Sequence, residues 1–160
     1  MRLTIDAVGR LKAGPLRELF KTYCGRFDAL GRNIHVGPIA LREFRESKAR
    51  SPASRREEEA AHLLEKRPNS PYLIVLDEAG DALTSRKFAS LLVTRRNAGD
   101  AELVFVVGGA DGVARSLADR ANLRLALGPM TLSHGLARVV LAEQLYRAAT
   151  IIAGHPYHRD

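Results

Sequence analysis

The sequence predicts one α/β domain whose mainly parallel sheet carries helices on both faces. Its 160 residues fit a single ordinary domain. An apolar fraction of 46% is typical of a folded protein. Short apolar segments alternate with helical ones in the second half, which is the pattern of a parallel sheet. We therefore treat residues 1–160 as one domain, with a basic first half (1–70) and a second half (71–160).

The first half is predicted to hold two strands and two helices. The strands are expected over residues 3–8 and 33–39, and the first helix over 16–29, where apolar residues recur at helical spacing. Residues 41–54 are polar and basic, which predicts a long mobile loop. The segment from Ser54 to Glu57 matches a capping box and predicts a second helix that runs through Leu64 and ends before Pro68.

The second half repeats a strand-then-helix order three times. Strands are predicted over 72–76, 103–107 and 123–127, and helices over 85–97, 112–121 and 136–152. The last helix is apolar nearly all round, so most of its faces must be buried. A partner subunit is the favoured cover, and burial between helices of the same chain is the alternative.

Charge and cysteine content narrow the partners and the compartment. The formal net charge is +7, and residues 1–70 carry 15 Lys and Arg against nine Asp and Glu, whereas residues 71–160 carry ten against nine. The first half is thus expected to attract phosphate, although a merely soluble basic surface is the alternative. Cys24 is the single cysteine, which excludes an internal disulfide and fits a reducing cytosol. No signal peptide or membrane span is recognised, so we expect a cytoplasmic protein.

A glycine-rich turn, residues 108–112, follows the predicted strand 103–107. Glycines at such a turn let a ligand approach the backbone, and a helix that begins there offers free N–H groups. The turn lacks the spacing of the dinucleotide fingerprint. Its glycines could also serve only to let the chain turn. Its sequence is Gly108-Gly109-Ala110-Asp111-Gly112.

A second candidate segment joins the strand 123–127 to the last helix. It lies at the carboxyl end of a strand, where ligands of open α/β sheets bind. An apolar loop with a few polar groups suits an adenine ring, and a buried packing loop is the alternative. The candidate residues are Gly128, Pro129, Met130, Thr131, Leu132 and Ser133, with His134 directly after them.

The C-terminal tail, defined here as residues 155–160, has an unusual composition for a chain end. It holds two histidines, a tyrosine and an arginine. His155 and His158 could ligate a metal, but no acidic or thiol partner stands near them in the sequence, so no metal site is predicted. Tyrosine and histidine can stack on a nucleic-acid base, and arginine can hold phosphate or an anion.

Four segments carry a resemblance: Val107–Gly112, Thr131–Val139, Glu143-Gln-Leu-Tyr-Arg147-Ala and Gly154-His-Pro-Tyr-His158-Arg. Together they resemble one family, the knotted α/β SPOUT-class RNA methyltransferases. Within that class the chain is similar to the ribosomal large-subunit pseudouridine N3-methyltransferases, the RlmH family. The resemblance spans the whole chain and is specific over residues 103–159. One departure is Leu132-Ser133, where the family usually has an aromatic or aliphatic residue followed by proline.

The resemblance implies a C-terminal trefoil knot, a homodimer and a bound S-adenosylmethionine. The implied substrate is N3 of a pseudouridine in 23S ribosomal RNA, on the large subunit or the whole ribosome. The implied cofactor contacts are Leu76, Gly108, Gly109 and the loop 128–133.

Transfer of a methyl group to a ring nitrogen requires alignment and removal of the N3 proton. For these roles we expect Tyr157 to stack, His158 to accept the proton and Arg159 to hold an anion or phosphate. His134 and Arg138 are further candidates, for loop order and substrate contact. A helix-start role with a satisfied hydrogen bond is the alternative for His134.

Two other classes of function are alternatives to methyl transfer. A non-catalytic RNA-binding module for ribosome assembly would explain the charge but not the two loops. A nucleotide-dependent oxidoreductase would need the fingerprint that is absent after the first strand. The three classes predict different ligands: S-adenosylmethionine, none, and a dinucleotide.

Overall fold

The computed structural model describes residues 1–65 and 71–159, so Pro68 and Asp160 lie outside the described residues. It contains five strands and five helices in alternation. The strands are β1 (Arg2–Val8), β2 (Ile39–Phe44), β3 (Tyr72–Ala82), β4 (Glu102–Val107) and β5 (Leu123–Ala126). The helices are α1 (Pro15–Gly31), α2 (Pro52–Glu65), α3 (Ser85–Asn97), α4 (Arg115–Ala118) and α5 (His134–Ile152).

All five strands form one parallel sheet in the order β2-β1-β4-β3-β5. The central pair, β1 and β4, joins the two halves of the chain in register, with Leu3 opposite Leu103. The predicted α/β class with a parallel sheet is confirmed. Sequence and fold thus bring the carboxyl ends of β3, β4 and β5 to one edge of the sheet.

Helices cover both faces of this sheet because the central strands are apolar on both sides. In β4, Leu103, Phe105 and Val107 pack on the face under α1, α3 and α5, whereas Val104 and Val106 face α2 and α4. The period of two along a strand produces this division. Each buried strand therefore reads as a continuous apolar run, which is why β4 was predictable.

The second strand was predicted at the wrong place. Residues 33–38 form a turn instead, in which His35 has a φ of 55° and the Val36 N–H donates to the Gly31 carbonyl at 2.9 Å. The strand begins at Ile39 and pairs only with β1. As an edge strand it carries charge, and its Arg42 forms an ion pair with the buried Asp6 of β1 at 3.1 Å.

The predicted mobile loop over 41–54 and the Ser54 capping box were also wrong. Residues up to Phe44 belong to β2. The segment after it is held in place by a hydrogen bond from the Ser47 N–H to the Glu59 carboxylate at 2.9 Å. Helix α2 begins at Pro52, a favoured first position. The hydroxyl oxygen of Ser51 accepts from the Ser54 N–H at 3.0 Å, so Ser51 takes the capping role.

The helix predicted over 112–121 shrinks to the four residues of α4. Gly112 has a φ of 82° and pairs with Gly109 in an isolated bridge, so the chain is still turning there. The glycine turn therefore does not open a helix directly. Any ligand at this turn would meet loop backbone rather than a helix N-terminus.

The last helix is buried mainly by its own chain. Leu141, Ala142, Leu145 and Ala148 are fully buried, and α5 packs against α1 and α3. Packing within the chain thus covers most of the apolar surface of α5, so this surface alone does not require a partner subunit. Among the described residues, no helix is long and apolar enough to cross a membrane.

The thiol of Cys24 on α1 should react slowly in the native protein. Burial, and secondarily the negative charge of Asp28, raise the pKa of its thiol to about 12. The reactive thiolate is therefore scarce at pH 8. We expect iodoacetamide to modify Cys24 at least ~10-fold more slowly in native than in urea-unfolded protein. Equal rates, followed by mass spectrometry, would show that the thiol is accessible.

Candidate active site

A cavity of about 740 Å³ opens beside residues 76–78 of β3 and the ends of β4 and β5. Its size falls in the range of pockets that hold a nucleoside-sized ligand. Three segments surround it: residues 76–78 in the middle of β3, the glycine turn 108–112 after β4, and the β5–α5 loop 127–133. This is the position at which open parallel sheets bind ligands.

Both glycines of the expected cofactor site line this cavity, but for different physical reasons. A side chain at Gly108 would come within 2.7 Å of the Gly112 carbonyl oxygen, so the turn itself requires glycine. A side chain at Gly109 would point at Val8 and the Glu59 carboxylate, 3.1 and 3.3 Å away. Substitution of Gly109 would therefore act by moving the turn, rather than by filling the ligand's space.

The β5–α5 loop contributes most of its predicted residues to the cavity. Gly128, Met130, Thr131 and Leu132 line it, as does Leu76 at the end of the predicted strand. Two expected contacts, Pro129 and Ser133, are not among the lining residues. Pro129 is exposed. Ser133 caps α5, where its hydroxyl oxygen accepts from the Leu136 N–H at 3.4 Å.

Two carboxylates of the cavity, Asp77 and Glu78, were missed by the sequence reading. Strand β3 continues past Leu76 through a bulge and pairs again with β5 at Asp81. Glu78 accepts a hydrogen bond from the Thr131 hydroxyl at 2.9 Å, which ties the bulge to the β5–α5 loop. Asp77 pairs with Arg124 of β5 at 2.8 Å. Polar residues directly after a buried strand were the available signal.

An ion pair holds the glycine turn from the side of α2. Arg55 donates to both carboxylate oxygens of Asp111, at 2.6 and 3.1 Å, and to the Ala49 carbonyl at 3.0 Å. The hydrogen bond from Arg55 is the main reason that the pKa of Asp111 lies below its usual range. This contact links the basic segment before α2 to the cavity.

His134 and Arg138 have separate positions on α5. His134 is the first residue of the helix and lines the cavity. Arg138 is fully buried: it donates to the Val8 and Gly9 carbonyls at 2.6 and 2.9 Å and to Glu43 at 3.0 Å. Arg138 therefore clamps the end of β1, and the expected substrate contact does not fit this burial.

The tail is docked on its own chain, on the side of α5 that carries Glu143, Tyr146 and Arg147. The Tyr157 ring lies 4.7 Å from the Tyr146 ring, centroid to centroid, and its hydroxyl donates to Glu143 at 3.1 Å. Burial, followed by its hydrogen-bond partners, raises the pKa of this phenol, which therefore stays protonated as a donor. Tyr157 thus anchors the tail, and Arg159 is exposed.

This docking separates the tail from the cavity of the same chain. Glu143 and Arg147 follow His134 by nine and 13 residues on one helix. At 1.5 Å per residue, Glu143 and Arg147 lie roughly 14–20 Å along the helix from His134, which lines the cavity. The structure thus brings seven of the nine cofactor candidates together at the cavity and places the tail candidates elsewhere in the subunit.

Known proteins match this chain along its length. The sequence profile of a family described as "Predicted SPOUT methyltransferase" matches residues 1–158. A protein of Nitrobacter winogradskyi and one of Bradyrhizobium diazoefficiens, both named "Ribosomal RNA large subunit methyltransferase H", are each 48% identical over 159 residues and cover 99% of both chains. A solved putative methyltransferase of Legionella pneumophila, in complex with S-adenosylmethionine, aligns with 89% of this chain and 65% of its own at 10% identity, with a TM-score of 0.44. On the full-length family match and the 48% identities, this chain belongs to the SPOUT methyltransferase family.

Proposed function

We propose that this protein uses S-adenosylmethionine to methylate N3 of a pseudouridine in large-subunit ribosomal RNA, on the assembled ribosome. The observation that carries the proposal is the match at 48% identity to proteins named for large-subunit ribosomal RNA methylation, together with a cavity at the carboxyl edge of the sheet. The RNA-binding module and the oxidoreductase lose support, because the matching family is one of methyltransferases. The proposed ribosomal substrate supports the expected cytoplasmic location.

The cavity fits the chemistry of the cofactor. Leu76, Leu127 and Leu132 offer apolar walls, and the backbone of the β5–α5 loop offers hydrogen-bonding edges for an adenine. Asp77 and Glu78 bring negative charge that suits the ammonium and sulfonium groups. When bound, S-adenosylmethionine supplies an electrophilic methyl group.

The remaining chemistry falls to the residues of this chain. Displacement at a methyl group is in line, so the protein's main task is to align the acceptor nitrogen. We assign His158 as the acceptor of the N3 proton and Arg159 as the cation that holds phosphate or the ring anion. Tyr157 anchors these two residues, and His134 orders the start of α5 beside the cavity.

A homodimer would bring the tail to a cavity. Leu16, Leu19 and Leu136 are more than a third exposed and lie where α1 and α5 begin. Leu16 lies directly beside Gly135, so these two helix starts adjoin. In a two-fold dimer with antiparallel α5 helices, the tail of one subunit approaches the α5 start of its partner. We propose that each active site combines a cavity with the partner's tail.

The basic first half provides a surface for RNA phosphate. Arg45, Lys48 and Arg50 are exposed in the segment before α2, and Arg56 lines the cavity. Arg115 of the second half lines the cavity as well. Cations around a site position the nucleic-acid backbone and make binding depend on salt. This charge complements the ribosomal substrate.

Mixed dimers test the shared site. One subunit lacks residues 155–160, and the other carries Ala110→Trp, which fills the mouth of the cavity from an exposed position. Both homodimers should be inactive. A co-expressed heterodimer, purified through two different tags, should regain up to about half of the wild-type activity, because one complete site forms. An inactive heterodimer would show that tail and cavity act within one subunit.

A further inference from the structure

One segment of α5 has no role in the function proposed so far. Its residues Glu143, Tyr146 and Arg147 form a surface that we define as the tail seat. Glu143 is the centre of this surface: its carboxylate accepts from the Nε and Nη2 atoms of Arg147 and from the Tyr157 hydroxyl. Its second oxygen accepts from Gln144 at 2.7 Å. The carboxylate is thus held in place before the tail adds its contact.

The seat contacts two successive tail residues. The Arg147 guanidinium lies 4.8 Å from the centre of the Tyr157 ring, a cation–π distance. Its Nη1 atom lies 3.5 Å from Nδ1 of His158. At 3.5 Å this contact holds the imidazole beside Arg147 without fixing its tautomer. Glu143 and Arg147 therefore hold the tyrosine, and Arg147 also positions the adjacent imidazole.

Helix α1 supports the seat from behind. The Tyr23 ring lies 6.2 Å from the Tyr146 ring, and the Arg26 guanidinium lies about 6 Å from both. Gln144 accepts from Ser85 of α3 at 2.8 Å, which fixes the other flank. The seat is therefore part of the helical framework, whereas the tail lies beyond the end of α5 and is held by its contacts with the seat.

We propose that Glu143 and Arg147 are positioning residues, which hold the tail so that His158 and Arg159 reach the target base in the partner's cavity. This inference rests on the proposed function. The seat itself touches neither cofactor nor substrate. A freely moving tail would lose the pre-set alignment of its catalytic groups, and small misplacements cost about 100-fold in rate.

The variant Glu143→Gln tests the proposal, because it keeps the size of the side chain and removes its charge. We expect kcat for ribosomes to fall ~10- to 100-fold, while the KM for ribosomes and the affinity for S-adenosylmethionine stay within about threefold. Glu65→Gln, at the exposed end of α2, is the matched control and should behave as wild type. A merely structural role would change stability or affinity, but not kcat alone.

A second variant makes the test independent of folding. Tyr157→Phe removes only the hydroxyl that reaches Glu143 and leaves the helix untouched. If the Glu143 carboxylate and the Tyr157 hydroxyl work as one unit, kcat of the double variant Glu143→Gln, Tyr157→Phe should be no lower than that of Glu143→Gln alone. Wild-type kcat in Glu143→Gln, or multiplying effects in the double variant, would overturn the proposal. Inactivity of the wild-type protein on ribosomes would instead refute the proposed function and is read from the same assay.

Discussion

A chain that ends at Gly154 should bind S-adenosylmethionine within a few fold of wild type and lose methylation of ribosomes by at least ~1,000-fold. The cavity is lined by residues 76–78 of β3 and by the segments that follow β4 and β5, and none of the tail residues that the structure describes lines it. Removal of residues 155–160 exposes Tyr146 but leaves the buried interior of α5 in place. Calorimetry and a radiolabelled methyl-transfer assay would measure the two effects separately.

The single change His158→Ala narrows this result to one side chain. If the imidazole accepts the N3 proton, the single-turnover rate of the wild type should rise with pH and the variant should lose that rise. Identical pH profiles would reduce His158 to a binding residue. Full methylation by the truncated enzyme would remove the chemistry from the tail altogether.

Arg138→Met should lower the free energy of unfolding by about 3 kcal/mol. The change leaves the Val8 and Gly9 carbonyls and the Glu43 carboxylate without the guanidinium that they share. Burial lowers the pKa of Arg138, and the charge and hydrogen bond of Glu43 oppose that effect, so the arginine depends on this partner. If the loss of these contacts moves the end of β1, the affinity for the cofactor should fall as well.

Arg115→Met is the matched control, because the Arg115 side chain is 92% exposed. It should change stability by less than about 0.5 kcal/mol. Urea unfolding at one protein concentration would measure both variants, since the stability of a dimer depends on concentration. A loss below about 1 kcal/mol for Arg138→Met would show that the buried clamp is not needed for the fold.

The apolar pattern made the centre of the fold predictable. Strand β4 and helix α3 were placed within one residue, because a buried strand is a continuous apolar run and a helix repeats its apolar residues at helical spacing. Strand β2 was misplaced, since an edge strand rich in charge resembles a loop in sequence. Its Arg42 forms an ion pair with Asp6, which is 36 residues away in sequence. Pairing at such a distance cannot be read from periodicity.

The site shows the same division between local and long-range information. The glycine turn and the β5–α5 loop were found because both follow apolar strands. Asp77 and Glu78 were missed because a bulge extends β3 beyond its apolar core. Arg138 was assigned to substrate, since nothing near it in the sequence reveals that it meets the end of β1. The tail was noticed from its composition, but its seat on α5 needed the structure.

The most direct test of the proposed function is a map of methylated nucleotides in ribosomal RNA from cells with and without this protein. A methyl group on N3 blocks base pairing, so reverse transcription stops there, and mass spectrometry of the fragment confirms the added methyl. We predict that one pseudouridine of the large-subunit RNA loses its methyl group in the deletion strain. Expression of the wild-type protein should restore it, and the Ala110→Trp variant should not. An unchanged methylation pattern in the deletion strain would contradict the proposed function.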